Sequence, residues 1–340
     1  MINNKTIFIT GGTGSFGSNF AKLLLKKYNL KKIIIFSRDE LKQSELKPQL
    51  EKINKKTLIR FFIGDVRDKE RLNLALTDVD IVFHAAALKQ VDAAEYNPTE
   101  VIKTNIMGAE NIISASLKNN VDKIVALSTD KACSPINLYG ATKLVSDKLF
   151  ISANNIRGKS KTKFSVLRYG NVMASRGSVI PAFFKMEKNN LPPKITDKNM
   201  TRFSLTLEES FGFALKTLQM MTGGELFVPK IPTYRILDLL SVFDFKKKPL
   251  IIGLRPGEKI NEELISKSDS ILTFETKEFY VIRPHSKVAP WSEKNFKKIN
   301  KLKEIKYCKK DFSYSSDNNQ RILTRTELKN LISKIKIKYD

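Results

Sequence analysis

The fold of this 340-residue chain is decided by the stretch Thr6-Ile-Phe-Ile-Thr-Gly-Gly-Thr-Gly-Ser-Phe-Gly17. Its first five residues are apolar or β-branched, which predicts a buried strand. The glycines at 11, 14 and 17 are typical of a tight turn, a close approach of the backbone to a phosphate, and close packing of a helix on a strand. A helix predicted from Ser15 to Lys27 would point its N-terminal N–H groups and its dipole at a pyrophosphate. The stretch therefore predicts a dinucleotide-binding turn.

Strands and helices continue to alternate beyond this turn. Apolar, β-branched runs predict further strands at 32–36, 58–63, 81–84, 123–127 and 164–168, and another helix is predicted from Pro98 to Lys118. Near-continuous apolar strands suit a parallel sheet that is buried on both faces. The chain is therefore predicted to be an α/β protein with a Rossmann-type doubly wound parallel sheet and right-handed crossovers.

The character of the sequence changes after about residue 170, where prolines become frequent and the alternation less regular. We expect an NADP-binding Rossmann domain at 1–170, to which later segments return, and a smaller, mainly substrate-binding part at 171–282. A basic C-terminal extension is expected at 283–340. A chain of this length is compatible with about two domains.

Composition narrows the class of protein. The chain has 41% hydrophobic and 28% charged residues, with 60 Lys+Arg against 35 Asp+Glu and a formal net charge of +25. It can form a core, and it has no apolar run of about 18 residues that would span a membrane. Because an apolar strand is predicted to begin at Thr6, we expect no signal peptide, and Cys133 and Cys308 are expected to form neither a disulfide framework nor a metal cluster. We expect a cytoplasmic protein without a metal, whose late lysines are solvated and do not indicate nucleic-acid binding.

The end of the second strand indicates which dinucleotide binds. An NAD site normally places an acidic residue there. Here the chain reads Phe36-Ser37-Arg38-Asp39, and Ser37 and Arg38 suit the 2′-phosphate of NADP. Asp39 lies one residue further on and is expected to begin the next helix. Asp65 and Val66, after the third strand, are expected to flank the adenine.

Two groups of polar residues are expected to meet at the nicotinamide. Tyr139 and Lys143 lie four residues apart, on one face of a predicted helix. An ammonium beside a phenol stabilises the phenolate and makes the tyrosine a usable base. Ser128-Thr-Asp-Lys131 follows the fifth strand, and residues at the carboxyl ends of parallel strands face the ligand cleft. The sequence therefore predicts a hydroxyl, an acid and an amine beside the Tyr/Lys pair.

The string from Ser128 to Lys143, Ser-Thr-Asp-Lys-Ala-Cys-Ser-Pro-Ile-Asn-Leu-Tyr-Gly-Ala-Thr-Lys, resembles one branch of the extended short-chain dehydrogenase/reductase superfamily. That branch is the inverting UDP-N-acetylglucosamine 4,6-dehydratases of pseudaminic acid synthesis. Matching stretches also occur at 37–43, 84–89, 168–172, 175–181, 200–203 and 255–259, and the resemblance covers the chain to about residue 265. Retaining relatives carry Asp-Glu at the position of Asp130-Lys131, where a lysine marks the inverting enzymes.

This resemblance implies conversion of UDP-N-acetylglucosamine (UDP-GlcNAc) into UDP-2-acetamido-2,6-dideoxy-β-L-arabino-hex-4-ulose. Tyr139, next to Lys143, would deprotonate the C4 hydroxyl while hydride passes to NADP, and Thr129 would hydrogen-bond the C4 oxygen. Lys131 would then remove the C5 proton and Asp130 would protonate the departing C6 hydroxyl, before hydride returns to C6. The pKa of Lys131 must fall for this role, and a dry site next to other cations would lower it.

The resemblance also implies the binding residues. NADP would be bound by Gly11, Thr13, Gly14, Ser15, Phe16, Gly17, Ser37, Arg38, Asp39, Glu40, Leu41, Lys42, Asp65, Val66, Ala85, Lys89, Tyr139, Lys143 and Val172. UDP-GlcNAc would be bound by Lys89, Asn171, Arg176, Gly177, Ser178, Val179, Ile180, Pro181, Arg202, Arg255 and Glu258. Guanidinium groups suit a diphosphate because they donate two parallel hydrogen bonds. A homo-oligomer, such as a hexamer, is implied by the resemblance alone.

Three other functions stay open at this level. A capsule or O-antigen relative would make the same intermediate and epimerise it further. A UDP-sugar C4 epimerase is disfavoured because Asp130-Lys131 is arranged for elimination. A non-catalytic dinucleotide-binding module that contacts RNA through its lysines is disfavoured by the intact polar set. His84, at the end of an apolar strand, is expected to be a core residue and not a base.

Overall fold

The computed structural model describes residues 2–54, 56–173, 178–285 and 288–336. Its strands are β1 Thr6–Thr10, β2 Lys32–Ser37, β3 Leu58–Ile63, β4 Ile81–His84, β5 Lys123–Thr129, β6 Lys163–Tyr169, β7 Lys194–Ile195, β8 Thr201–Phe203, β9 Leu226–Pro229, β10 Thr233–Arg235, β11 Leu250–Ile251, β12 Glu263–Ile265, β13 Thr273–Glu275, β14 Phe279–Ile282, β15 Lys306–Tyr307 and β16 Tyr314–Ser315. Its α-helices are α1 Ser15–Lys27, α2 Glu40–Ile53, α3 Lys69–Ala75, α4 Val91–Tyr96, α5 Pro98–Ile102, α6 Gly108–Lys118, α7 Leu138–Ile156, α8 Val179–Lys188, α9 Leu207–Met220, α10 Ile236–Leu240, α11 Glu293–Asn300 and α12 Arg325–Lys336.

One large sheet organises the described part of the chain. Its strand order is β15-β13-β14-β9-β6-β5-β4-β1-β2-β3. The strands from β3 to β9 run parallel, and β14, β13 and β15 extend the sheet antiparallel at one edge. The order reverses between β1 and β4, which is where doubly wound sheets bind their ligands. The predicted fold class is confirmed.

Helices cover both faces of this sheet. Helix α1 packs against α2 and α9, whereas α6 packs between α3 and α7, and both α7 and α9 contact β5 and β6. The inner strands are apolar because both faces of the sheet are buried there: all five residues of β1 are inaccessible, whereas the edge strand β3 is partly exposed. Helix α1 forms between 15 and 27, as predicted, and buries Phe20, Ala21, Leu24 and Leu25 on one side. This arrangement fixes the dinucleotide turn above the sheet.

The predicted helix from Pro98 to Lys118 is interrupted. Residues 103–107 form a π-helical turn between α5 and α6. Asn105, in this turn, is buried; its side chain accepts from Leu88 N at 2.9 Å and donates to Leu88 O at 2.9 Å and Thr142 Oγ1 at 3.1 Å. These tertiary hydrogen bonds connect the loop after β4 to α7, and a local helical pattern in the sequence cannot predict them.

A second hydrophobic core lies apart from the sheet. It contains residues of α8, α10 and α12, such as Ile180, Phe183, Leu239, Leu328 and Ile332. Residues beyond 282 thus contribute to this core, and β15 joins the large sheet. The division into parts at 170 and 282 stays a prediction. Within the described residues, no helix is both long and apolar enough to cross a bilayer.

Candidate active site

A cleft of about 1010 Å³ opens where β1, β2, β4, β5 and β6 end. Most residues expected to bind NADP line it: Gly11, Thr13, Gly14, Ser15, Phe16, Gly17, Ser37, Arg38, Asp39, Lys42, Asp65, Val66, Ala85, Lys89, Tyr139, Lys143 and Val172. Glu40 and Leu41, in the first turn of α2, do not line it. Ser128, Thr129 and Lys131 line the same cleft, as do most of the expected sugar-binding residues, whereas Asp130 is fully buried and does not line it.

The turn after β1 has the shape of a phosphate cradle. Gly11 adopts a φ of 61°, and a Cβ there would lie 3.0 Å from the carbonyl carbon of Ala85. A Cβ on Gly17 would lie 2.6 Å from Gly11 O. Among the described residues no side chain caps the N-terminus of α1, whose cap residue is Gly14. The free N–H groups and the bare backbone therefore fit a dinucleotide pyrophosphate.

The residues after β2 lie where the adenosine ribose would be expected. Arg38 is 55% exposed, and its Nη1 lies 3.7 Å from Asp65 Oδ2. Asp39 begins α2 as expected, because its side chain accepts from Lys42 N at 2.9 Å. Burial acts to raise the pKa of Asp65, but its hydrogen bonds with Arg67 outweigh this and lower it. An exposed guanidinium thus lines the cleft next to Asp65, while Asp39, which follows Arg38 in sequence, caps α2.

Tyr139 and Lys143 lie in the first turns of α7, which begins after Asn137. The Asn137 side chain caps the helix by accepting from Gly140 N at 2.8 Å. Lys143 Nζ donates to Leu127 O at 2.9 Å, and burial lowers the pKa of Lys143. Burial raises the pKa of Tyr139 to about 12, against the opposing effects of Lys131 and a hydrogen bond with Thr129. The cation with the largest lowering effect on the pKa of Tyr139 is Lys131. The expected effect of Lys143 on this phenol stays a prediction.

Asp130 and Lys131 form a short 3₁₀ turn with Ala132 directly after β5. Asp130 is fully buried, and its Oδ1 accepts from Thr129 Oγ1 at 2.9 Å and from Lys131 Nζ at 3.2 Å. Lys131 Nζ also donates to Glu262 Oε1 at 3.1 Å. An amine, two carboxylates and a hydroxyl therefore meet beside the phenol of Tyr139.

The expected fall in the pKa of Lys131 is wrong for this arrangement. Burial acts to lower the pKa, but the charges of Asp130 and Glu262 outweigh it and raise the pKa. The expected neighbouring cation is present, since Arg202 opposes the rise, yet the carboxylates are closer. Lys131 is accordingly an ammonium in this structure, and a base only after it gives up a proton.

A buried ion pair supports this loop from beneath. Asp147 of α7 accepts from Ser128 Oγ at 2.8 Å and from Arg168 Nη2 at 3.1 Å. Arg168 Nη1 donates to Leu264 O in β12 at 3.2 Å. Both charged side chains are at most 3% exposed. The pair therefore joins β5, β6, α7 and β12 under the catalytic residues.

Of the expected sugar-binding residues, Lys89, Asn171, Ser178, Val179, Ile180, Arg202, Arg255 and Glu258 line the cleft. Pro181 lies in α8 without lining it, and Arg176 and Gly177 lie outside the described residues. Arg202 donates to the carbonyls of Thr201, Lys259 and Ile260 at 2.7–3.0 Å, and Arg255 pairs with Glu258 at 3.0 Å. Through these hydrogen bonds, Arg202 holds the loop 255–260 at the rim of the cleft.

Four charged residues that line the cleft were not expected from the sequence, namely Asp92, Lys194, Lys259 and Glu262, whereas the expectation for His84 fits the structure. Glu262 lines the cleft beside Lys131, 131 positions away in sequence, so no local pattern points to it. His84 is buried and shares a 2.9 Å hydrogen bond between its Nδ1 and Thr10 Oγ1. Burial lowers its pKa to about 3, so it stays neutral, as expected of a core residue. No group of three or more metal-ligating side chains occurs within the described residues.

Comparison with known proteins places this site in a family. Residues 7–284 match the family described as polysaccharide biosynthesis protein. The chain belongs to that family. Within it, a protein of Campylobacter jejuni named UDP-N-acetylglucosamine 4,6-dehydratase (inverting) is 53% identical over 337 residues, which cover 98% of each chain. The resemblance found in the sequence is thereby confirmed.

Two further proteins are similar to this chain over most of its length. The X-ray structure of Pen from Bacillus thuringiensis superposes with a TM-score of 0.84 at 36% identity, covering 98% of this chain and 99% of that chain. A Rickettsia bellii protein named UDP-glucose 4-epimerase is 46% identical over 276 residues, covering 79% of this chain and 80% of that protein. The chain is therefore similar to proteins named for two different reactions on UDP-sugars.

Proposed function

We propose that this protein is an NADP-dependent UDP-GlcNAc 4,6-dehydratase that inverts C5, of the kind that begins pseudaminic acid synthesis. The observation that carries the proposal is Lys131, which lines the cleft beside Tyr139 and donates to the buried carboxylate of Asp130. A dehydratase needs an acid at the departing hydroxyl and a base at C5 in addition to the group that acts at C4. The named activity of the Campylobacter jejuni relative supports the same reaction.

NADP is preferred to NAD because of the residues after β2. The exposed guanidinium of Arg38 can pair with a 2′-phosphate, which is the group that distinguishes the two dinucleotides. Asp39 uses its carboxylate to cap α2 and not to hold ribose hydroxyls. The turn after β1 and Arg38 would hold the dinucleotide, whose nicotinamide would supply a hydride acceptor for the sugar C4 and a hydride donor for C6.

The chain's own residues manage the protons. Tyr139 takes the C4 hydroxyl proton, and Thr129 orients the C4 oxygen. The neighbouring Lys131 favours the phenolate because its charge lowers the pKa that burial raises. Lys131 then takes the proton at C5, which the adjacent 4-keto group acidifies, and Asp130 delivers a proton to the leaving C6 oxygen. Lys143, anchored on Leu127 O, is a fixed cation near the nicotinamide.

The direct test is the mass of the product. Purified protein incubated with UDP-GlcNAc should yield a UDP-sugar lighter by one water, and reduction with borodeuteride should place deuterium at a 4-keto carbon. A product of unchanged mass with an inverted C4 would show that the protein is an epimerase. That alternative is favoured by the name of the Rickettsia bellii relative, and a C4 epimerase would leave the Asp130–Lys131 pair without a role.

A further inference from the structure

A buried carboxylate without a role in these steps lies against the amine of Lys131. Glu262 comes immediately before β12, and only 4% of its side chain is exposed. Its Oε1 accepts from Lys131 Nζ at 3.1 Å. Its backbone is held by the C-terminal segment, because Glu262 N donates to Ser316 Oγ at 2.9 Å and Ser316 N donates to Glu262 O at 2.8 Å. The carboxylate is thus positioned at the base by a distant part of the chain.

The second oxygen of this carboxylate lacks a donor. Glu262 Oε2 is buried and accepts no hydrogen bond from any residue that the structure describes. The nearest guanidinium nitrogen, Arg202 Nε, is 3.9 Å from Oε1, and the Arg202 Nη groups are used by backbone carbonyls. A buried carboxylate oxygen without a donor is incompletely bonded, which is costly. This carboxylate therefore has unused acceptor capacity beside the amine of Lys131.

We propose that Glu262 is a positioning residue that acts through Lys131 by accepting the ammonium proton before C5–H is attacked. The inference rests on the proposed function. The proton moves along the Nζ–Oε1 hydrogen bond, so that an ammonium and a carboxylate become an amine and a carboxylic acid. The amine lone pair then takes the C5 proton, the C5–H electron pair forms the enolate of the 4-keto sugar, and Lys131 is an ammonium again.

The protons balance over the whole cycle. The cycle begins with a proton on Asp130, so Asp130 cannot accept the one from Lys131. Asp130 gives its proton to the C6 oxygen, which leaves as water. The proton stored on Glu262 then passes through Lys131 and protonates Asp130 for the next cycle, since Lys131 Nζ contacts the two carboxyl groups at 3.2 Å and 3.1 Å. Tyr139 takes one proton from the C4 hydroxyl, and one proton returns to C5, so these two transfers cancel in the overall count. Lys131 is thereby both the base and the bridge between the two carboxylates.

The other charged and titratable groups around this pair set its behaviour with pH. They are Asp130, Arg202, Lys89, Tyr139 and Tyr234. Burial, followed by the charge of Lys131, lowers the pKa of Lys89, so the cations here repel one another. Without Glu262, the Lys131 proton would have to leave to solvent. The rate would then rise with pH, whereas an internal acceptor makes it independent of pH near neutrality.

Glu262→Gln tests this role because it keeps the size and the acceptor oxygen but cannot take up a proton. We expect dehydration and C5–H exchange to fall about 100-fold at neutral pH, with KM unchanged and with oxidation at C4 retained. The residual kcat should rise with pH, unlike that of the wild type. Glu263→Gln is the matched control: its Oε2 accepts from Ser134 Oγ at 2.7 Å and it does not line the cleft. It should keep the wild-type rate and pH profile.

Several outcomes would overturn the inference. A wild-type or faster rate in Glu262→Gln, with a flat pH profile, would show that the carboxylate accepts no proton in the reaction. Equal loss of C4 oxidation would assign Glu262 a purely structural role. Glu262→Asp retains a proton acceptor, so it should recover part of the dehydration rate with a rate that does not depend on pH near neutrality. If the glutamine variant does not fold, this aspartate variant tests the role of Glu262 in its place. Failure of the wild type to dehydrate UDP-GlcNAc would instead refute the proposed function, and this inference with it.

Discussion

Adding one methyl group at Gly17 should weaken cofactor binding without unfolding the protein. The Cβ of Gly17→Ala would lie 2.6 Å from Gly11 O and 2.7 Å from Gly12 Cα. Both contacts are with backbone, so neither can be relieved by a side-chain rotation. The first turn of α1 and the phosphate loop must separate by about 0.8 Å to reach an ordinary 3.4 Å contact. The N–H groups that would hold the pyrophosphate move by a similar amount.

The magnitude follows from the cost of overpacking. Forcing an extra methyl group into a packed site costs about 1–3 kcal/mol. If the bound cofactor demands the original loop geometry, that cost appears in binding, and the NADP dissociation constant should rise between about 5-fold and 150-fold. Part of the strain can instead lower the stability of the protein, so the NADP dissociation constant and the unfolding temperature are measured on the same samples.

The assay is calorimetric titration of cofactor-free protein with NADP, alongside thermal unfolding. Gly212→Ala is the matched control, because Gly212 lies in α9 and a Cβ there meets nothing within 4 Å in the described residues. It should keep NADP affinity and gain up to about 1 kcal/mol of stability. Wild-type affinity in Gly17→Ala would refute the assignment of this loop to the pyrophosphate.

Three further predictions concern single side chains. Lys131→Ala should retain transient nicotinamide reduction by UDP-GlcNAc but lose C5–H exchange and dehydration; loss of NADP binding in a folded variant would contradict its role. Arg38→Ala should weaken NADP by about 10- to 150-fold and leave NAD unchanged, whereas Arg60→Ala, on β3, should affect neither; equal loss of both dinucleotides would contradict a 2′-phosphate contact. Arg168→Met leaves the buried carboxylate of Asp147 without its ion-pair partner and should lower the free energy of chemical unfolding by about 3–5 kcal/mol. The exposed Lys246→Met should lower it by nothing measurable. Similar unfolding midpoints for the two variants would contradict a stabilising role of the Arg168–Asp147 pair.

Local patterns predicted the parallel sheet because its strands are defined by their own residues. The six predicted strands form at the expected places, and β5 and β6 extend by one or two residues at their ends. The phosphate loop and the Tyr139–Lys143 pair could also be predicted from the sequence, since each depends on residues that lie close together in the chain. The antiparallel strands β13, β14 and β15 were not predicted, because a strand as short as β15 exists only through its neighbour.

What the sequence could not supply is the electrostatic setting of the catalytic amine. The charge that keeps Lys131 protonated comes partly from Glu262, 131 positions away, and that residue is held by Ser316. Such a contact depends on how β12 and β16 pair, which no single stretch encodes. The expected fall in the Lys131 pKa was wrong for this reason, since the sequence revealed the cations but not the distances to the carboxylates.

The central claim is that this chain removes water from UDP-GlcNAc and inverts C5. The most direct measurement is NMR of purified protein incubated with UDP-GlcNAc in D₂O, without added cofactor. We expect loss of the C6 hydroxyl, deuterium at C5 and inverted stereochemistry at C5. A product that keeps its C6 hydroxyl and is changed at C4 would contradict it.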